Sequence, residues 1–323
     1  MGIFSMGKTA LVCGVNGQDG AYLAQLLLSK DYSVIGTSRD AEASSFSNLD
    51  KLGITSQVSL TSMSLNDFRS VLQVITKYEP VEIYNLAGQS SVGLSFTQPV
   101  ETMESISAGV LNLLEVVRFV NKKIRVYNAG SGEAFGDTGS EPANEETAFR
   151  PRSPYAVAKA ASFWQVANYR EAYDLFSCTG LLFNHESSLR PQRFVTQKIV
   201  DGAKQIAAGN SNGMVLGNLD ITRDWGWAPE YVEAMWLMLQ ADRPEDYVIA
   251  TGKSHSLGQF VEKAFTPYGL DWKKYVQVDK SLFRPLDIPI SRANPEKAHK
   301  QLGWKSNTNL DQLIVKMQTN QHR

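Results

Sequence analysis

Four side chains in the middle of the chain have the types and spacing to move protons. Tyr155-Ala156-Val157-Ala158-Lys159 sets a phenol and an ammonium four residues apart, which on a helix is a single face. A phenol with its ordinary pKa of about 10 is a poor base at neutral pH. A nearby ammonium favours the phenolate and brings it into range. Upstream, Tyr127-Asn128-Ala129-Gly130-Ser131-Gly132-Glu133-Ala134-Phe135-Gly136 reads as a strand ending at Ala129 and then a polar loop. Ligands of open α/β sheets bind at the carboxyl edge, so Ser131 stands where it can hydrogen-bond a substrate hydroxyl or carbonyl. Glu133 adds a carboxylate to that set. Alcohol–ketone chemistry needs only Ser131, Tyr155 and Lys159. A further acid/base suits removal of a proton next to a carbonyl, and hence elimination.

Such chemistry needs a dinucleotide, and the chain carries a loop for one. Gly14-Val15-Asn16-Gly17-Gln18-Asp19-Gly20 is G-x-x-G-x-x-G between the apolar run Thr9–Cys13 and a helical pattern starting at Ala21. Residues without a Cβ let the chain turn tightly, and the helix N-terminus offers free N–H groups to a pyrophosphate. The predicted cofactor contacts are therefore Gly14, Asn16, Gly17, Gln18, Asp19 and Gly20. At the end of the second strand an acid would hold the ribose hydroxyls of NAD, whereas an Arg favours the 2′-phosphate of NADP. Ser38-Arg39-Asp40 supplies Arg39 first, so NADP is favoured over NAD, with Asp40 next door tempering the preference.

The elements that must position these residues alternate along the chain. Strand patterns fall at 9–13, 33–38, 57–60, 82–87, 124–129, 177–183 and 247–252, and helix patterns at 21–28, 65–78, 100–121 and 154–174. That alternation predicts an α/β protein, a Rossmann-type doubly wound parallel sheet. Asn184-His185-Glu186-Ser187-Ser188-Leu189-Arg190-Pro191 reads as loop. Pro267, Pro285, Pro289 and Pro295 suggest short elements in a smaller, mostly C-terminal α/β substrate domain. The expected division is 1–183 with 219–252 for the dinucleotide domain, and 184–218 with 253–323 for the substrate domain.

Composition narrows the partners. The 323 residues carry a formal net charge of −1, which gives no global attraction to nucleic acid or an anionic membrane. An anionic ligand must be held by locally placed Arg and Lys. Cys13 and Cys178 form no disulfide framework or metal spacing and are expected to be buried small hydrophobes in a reducing cytoplasm. No metal site is expected. No apolar run approaches the ~20 residues of a membrane span. Met1 to Met6 lacks the basic and apolar regions of a signal peptide, and Met6 stands where a myristoylation signal wants Ser or Thr; residues 1–7 are expected to be a leader outside the fold. Trp225, Trp227 and Trp236 read as core rather than a sugar platform, and His185 as a structural loop histidine.

These residues, taken in order, resemble one family across nearly the whole chain, the GDP-mannose 4,6-dehydratases. The resemblance is carried by Gly14 to Leu23 (G-x-x-G-Q-D-G-x-Y-L), Arg150 to Lys159, Leu182-Phe183-Asn184-His185-Glu186-Ser187, Arg223-Asp224-Trp225-Gly226, Pro244 to Gly252 and Phe283-Arg284-Pro285. It implies a cycle in which NADP is reduced and reoxidised within one turnover. Tyr155 would take the C4 hydroxyl proton as hydride leaves C4. Glu133 would remove the acidified C5 proton and deliver a proton to the departing C6 hydroxyl, after which hydride returns to C6 and a 4-keto-6-deoxy sugar results. Ser131 would hold the C4 oxygen, and Lys159 the nicotinamide ribose while keeping Tyr155 acidic. The resemblance adds Leu86, Ala87, His185 and Arg190 to the cofactor contacts. It also implies a substrate set of Ser90, Asn184, Val195, Lys198, Arg223, Arg284 and Asp287, with arginines suited to the diphosphate by their planar fork. Helices 100–121 and 154–174 would pair across a two-fold axis to give a homodimer or homotetramer.

Three stretches depart from the family. Arg39-Asp40, then Ala41-Glu42-Ala43 before Ser44-Ser45-Phe46, replaces two adjacent arginines and a Ser-rich loop that reaches a neighbouring subunit, so dimer and tetramer both stay open. Thr61-Ser62-Met63-Ser64-Leu65 replaces an adenine-side Gly-Asp-Leu. Gly130-Ser131-Gly132-Glu133 replaces Ser-Thr-Ser-Glu, for which a roomier pocket and another sugar, such as a GDP-heptose, is one expectation. The competing readings are a nucleotide-sugar epimerase or 4-ketoreductase in which Glu133 does no elimination, and a cofactor-sensing protein without chemistry. The last has no need of Ser131, Glu133, Tyr155 and Lys159 together.

Overall fold

A computed structural model describes residues 7–322; residues 1–6 of the expected leader lie outside the described residues. Six strands, β1 (Thr9–Cys13), β2 (Ser33–Ser38), β3 (Ser59–Ser62), β4 (Glu82–Asn85), β5 (Arg125–Ala129) and β6 (Ser177–Leu182), precede two three-residue strands, β7 (Asn184–Glu186) and β8 (Met214–Leu216), and a longer one, β9 (Thr222–Trp227). They are followed by β10 (Tyr247–Ile249), β11 (Ser254–Ser256) and β12 (Val276–Val278). The main sheet has seven strands in the order β3-β2-β1-β4-β5-β6-β10, all paired in parallel. The expected doubly wound Rossmann-type sheet is what the chain forms.

Near-continuous apolar runs such as Ala10-Leu11-Val12-Cys13 are needed because helices cover both faces of a parallel sheet. On one face the helices Gln18–Ser29 and Ala228–Gln240 bury Leu23, Leu27, Met235 and Leu239; on the other, Phe68–Tyr78, Gly109–Val120 and Pro154–Tyr173 bury Val71, Leu114 and Val166. Register then decides where chemistry can happen. Cys13 pairs with Asn85, Asn85 with Asn128, and Ala129 with Gly180. The glycine loop, Leu86-Ala87 and the Ser131–Glu133 turn therefore leave the sheet at one edge, where the strand order reverses beside β1.

A third core joins the helices Val195–Ala207, Leu257–Phe265 and Leu310–Gln318 with Trp225 and Trp227 of β9. Those tryptophans are core, as read, and Trp236 packs at the edge of the first core. Both cysteines are buried and free; burial pushes the Cys13 thiol up to about 12. No helix among the described residues is long and apolar enough to cross a membrane.

Several expected boundaries move for physical reasons. The first helix begins at Gln18, so Gly20 lies inside its first turn rather than before it. The helix expected at 65–78 begins at Phe68, because Asp67 caps it by accepting from the Arg69 and Ser70 N–H groups. The 100–121 helix is three pieces: Pro99–Met103, a wide π turn over Glu104–Ala108, and Gly109–Val120. The stretch 184–191 is not all loop. Asn184, His185 and Glu186 form β7, whose partners Trp225, Gly226 and Trp227 come from far along the chain.

Candidate active site

The glycines of the loop are required by contact. Gly14 has φ +80°, and a Cβ there would sit 3.0 Å from the Ala87 Cα. A Cβ on Gly20 would stand 2.3 Å from the Gly14 carbonyl oxygen and 2.7 Å from the Val15 Cα. Backbone atoms cannot yield that much, so Gly20→Ala is expected to cost about 1–3 kcal/mol by overpacking and to weaken dinucleotide binding; thermal melting and a cofactor titration check both. Gly17 is the N-cap and offers no side-chain acceptor, which leaves first-turn N–H groups free for an anion.

In front of the loop lies a cavity of about 660 Å³. It brings together Gly14, Asn16, Gly17, Gln18, Asp19, Gly20, Arg39, Leu86, Ala87 and Arg190 from the expected cofactor set, and also Ser90, expected on the substrate side. Its size, glycine cradle and free helix terminus fit a dinucleotide. Arg39 faces this cavity and Asp40 does not line it: the Asp40 carboxylate accepts from the Glu42 and Ala43 N–H groups at 2.9 and 3.0 Å. Ser64, Leu65 and Asn66 line it where the adenine-side Gly-Asp-Leu was absent. Sequence reading missed Asn66, Glu101, Ser105, Arg193 and Asn48. Asn48 pins the loop by donating to the Asn16 carbonyl at 3.0 Å.

The catalytic candidates meet at the ends of β5 and the helix Pro154–Tyr173. Ser153 caps that helix through the Ala156 N–H and Pro154 fills its first turn, so Tyr155 and Lys159 are held near the sheet edge. Lys159 Nζ donates to the Ala129 carbonyl at 2.6 Å and stands 5.8 Å from the Tyr155 ring centre. Burial lowers its pKa to about 8. Burial pushes the Tyr155 phenol up to about 12, opposed by a hydrogen bond with Ser131 and assisted by the charge of Glu133. Ser131 in turn accepts from the Glu133 N–H at 3.2 Å. Hydroxyl, phenol and carboxylate therefore share one small space. Gly130 and Gly132 do not themselves open the roomier pocket expected of them. A Cβ on Gly130 would meet Thr179 at 2.6 Å and the Gly180 carbonyl at 2.9 Å, and one on Gly132 would meet the Phe183 ring at 2.9 Å. Both glycines are small so that β6 and Phe183 can pack against them.

His185 is buried between the two parts of the site. Its Nε2 is 2.8 Å from the Asp19 carboxylate, its Nδ1 2.7 Å from the Phe183 carbonyl, and its ring stacks on Tyr231 at 4.5 Å. Burial opposes charge on both partners, yet their attraction leaves His185 raised and Asp19 lowered from their ordinary values. Gln18 donates to the His185 carbonyl and accepts from Ser187. Arg190 pairs with the buried Glu186 at 3.0 Å and lies over the Phe194 ring at 3.8 Å.

On the far side, Arg223 of β9 is 3% exposed. It donates to the Ile288 carbonyl at 2.7 Å and to Asp287 at 3.4 Å, while Arg284 lies 4.0 Å from the same Asp287 carboxylate. Burial lowers the Arg223 pKa, and Glu133 is the foremost charge opposing that shift. Arg223, Arg284, Asp287 and Glu133 thus form one charged group. Asn184 lies on β7 opposite Trp225 of β9, two residues along from Arg223. Lys198 is exposed and donates to the Val215 carbonyl at 2.7 Å, and Val195 packs at the edge of the third core. Among the described residues no group of three or more His, Cys, Asp and Glu is placed to hold a metal.

Comparisons with known proteins place this geometry. Solved structures share the fold at low identity: a UDP-glucose 4-epimerase from Thermus thermophilus in complex with NAD has a TM-score of 0.84 at 23% identity, covering 97% of this chain and 98% of its own. RMD from Pseudomonas aeruginosa, complexed with NADPH, has a TM-score of 0.80 at 19% identity over 97% and 98%. Sequence relatives are nearer. GDP-mannose 4,6 dehydratase 1 of Arabidopsis thaliana is 42% identical over 320 residues, 96% of this chain and 88% of the relative. The GDP-mannose 4,6-dehydratase of Vibrio cholerae is 38% identical over 346 residues, 97% of this chain and 93% of the relative. The family model for GDP-mannose 4,6 dehydratase matches residues 11–317. With that match spanning the three cores and the candidate site, the chain belongs to the GDP-mannose 4,6-dehydratase family and is a hydro-lyase.

Proposed function

We propose that this enzyme removes water from GDP-mannose to give GDP-4-keto-6-deoxymannose, with NADP in the cavity before the glycine loop. The observation that carries the reading is the meeting of Ser131, Glu133 and Tyr155 at the sheet edge, within electrostatic reach of Arg223. Arg39 lining the cavity while Asp40 is spent on its own loop favours NADP over NAD. Held by the glycine loop and Arg39, the dinucleotide would supply the hydride acceptor for C4 and the hydride donor for C6.

The chain's residues move protons around that exchange. Ser131 orients the C4 oxygen, and Tyr155 takes the C4 hydroxyl proton. Oxidation at C4 acidifies the C5 proton, which Glu133 removes and passes to the departing C6 hydroxyl as water leaves; once hydride has returned to C6, a proton drawn from solvent closes C5 and gives the 4-keto-6-deoxy sugar. Arg223 and Arg284 hold the diphosphate, with Asp287 fixing both guanidinium groups. The Ser131 hydrogen bond and the Arg190 charge oppose the burial that pushes the phenol up to about 12. Lys159, anchored on the Ala129 carbonyl with its ammonium 5.8 Å from the Tyr155 ring centre, adds the attraction of a second cation. That attraction is present while Lys159 is charged and lost as pH rises through about 8. Turnover is therefore expected to fall above pH 8. Lys159→Arg, which keeps its charge, should move that alkaline limb upward even as it lowers the maximum; a kcat/KM profile against pH reads both.

A panel of GDP-, UDP- and dTDP-hexoses read by mass change tests the substrate. Loss of one water from GDP-mannose supports the reading, and loss from a UDP- or dTDP-sugar alone sinks it. We further propose that the chain divides near residues 183, 219 and 252 as its sequence pattern suggests, and that it works as a homo-oligomer. Val100, Phe119, Val157 and Trp164, exposed on the helices flanking β5, support that assembly, and elution at monomer size would contradict it.

A further inference from the structure

The cavity carries an ion pair across its Arg39 end. Arg39, just after β2, lies 3.4 Å from the Glu101 carboxylate on the helix Pro99–Met103, and both line the cavity. The guanidinium is otherwise open to solvent, its side chain 84% exposed. Two acids line the cavity, Asp19 and Glu101. Asp19 is held by His185, and Asp40 turns away into its own loop. That leaves Glu101 as the carboxylate available to a ribose.

We propose that Glu101 sets the enzyme's discrimination between the phosphorylated and unphosphorylated dinucleotides, a role that rests on Arg39 being the 2′-phosphate residue. A 2′-phosphate must share the Arg39 guanidinium with Glu101 or draw it away, and in either case bears the repulsion of the carboxylate beside it. A free 2′-hydroxyl meets the opposite situation, because a carboxylate accepts hydrogen bonds from ribose hydroxyls. Glu101 thus penalises NADP and assists NAD. The preference that Arg39 alone would impose is narrowed, and the chain accepts both cofactors.

The test is equilibrium binding of NADPH and NADH, followed by fluorescence, to the full-length enzyme freed of retained dinucleotide, with Glu101→Gln and Arg39→Gln beside the wild type. Both side chains are at the surface, and melting curves check that the variants fold. Glu101→Gln is expected to tighten NADPH by about threefold or more, the scale of an exposed ion pair, and to weaken NADH, with the NADPH effect shrinking as salt is raised. An unchanged NADPH-to-NADH ratio in Glu101→Gln, with Arg39→Gln weakening NADPH, overturns the role of Glu101 and leaves the NADP reading standing. NADPH binding unaffected by Arg39→Gln overturns both.

Discussion

Glu133→Gln is expected to lower turnover of GDP-mannose by about 10²–10⁴-fold, the usual range for loss of a positioned acid/base, with nucleotide-sugar binding kept. The amide keeps the shape of the side chain but can neither accept the C5 proton nor pass it on. Arg223 retains the Ile288 carbonyl and Asp287 as partners, so its place in the diphosphate site should survive. The variant should also stall after the C4 alcohol is oxidised. Mixing it with GDP-mannose should build the near-ultraviolet absorbance of reduced nicotinamide, with no 4-keto-6-deoxy product. Normal product formation would remove Glu133 from the mechanism and leave an epimerase or ketoreductase as the better account of the site.

Tyr155→Phe should cost as much, again about 10²–10⁴-fold, but at an earlier step. The ring still fills its place at the head of the helix Pro154–Tyr173, and only the hydroxyl that meets Ser131 is lost. Stability should change by no more than about 1.5 kcal/mol, the net worth of one hydrogen bond. Because the C4 proton has no acceptor, neither reduced nicotinamide nor product should accumulate. That contrast assigns the two residues to separate steps. Equal accumulation of reduced nicotinamide in both variants would show that Tyr155 is not the C4 base.

The contrast between what sequence reading found and what it missed is one of range along the chain. The glycine loop and Tyr155–Lys159 are local patterns, set by backbone sterics and by one helix face, and the structure brings both to the same sheet edge. The glycines at 130 and 132 were misread as pocket space because their neighbours Thr179 and Phe183 lie on another strand. β7 was read as loop because a three-residue polar strand has no periodicity of its own; it exists because β9 pairs with it. Glu101 and Ser105 reach the cavity from either side of the join between a short helix and a π turn, where a single helix from 100 to 121 was expected. Arg193 and Asn48 come from loops whose approach to the cavity is decided by tertiary packing. The Asp19–His185 pair joins two recognised motifs, G-x-x-G-Q-D-G and N-H-E-S, yet nothing local to either says that they touch.

The central claim is that one site oxidises C4, eliminates water between C5 and C6, and returns the same reducing equivalent. Incubating the enzyme with GDP-mannose in deuterated water, with no added reductant, tests it most directly. The product should be GDP-4-keto-6-deoxymannose carrying solvent deuterium at C5, with no net consumption of dinucleotide. Unchanged GDP-mannose at high enzyme loading, or a C4 epimer without loss of water, would contradict it.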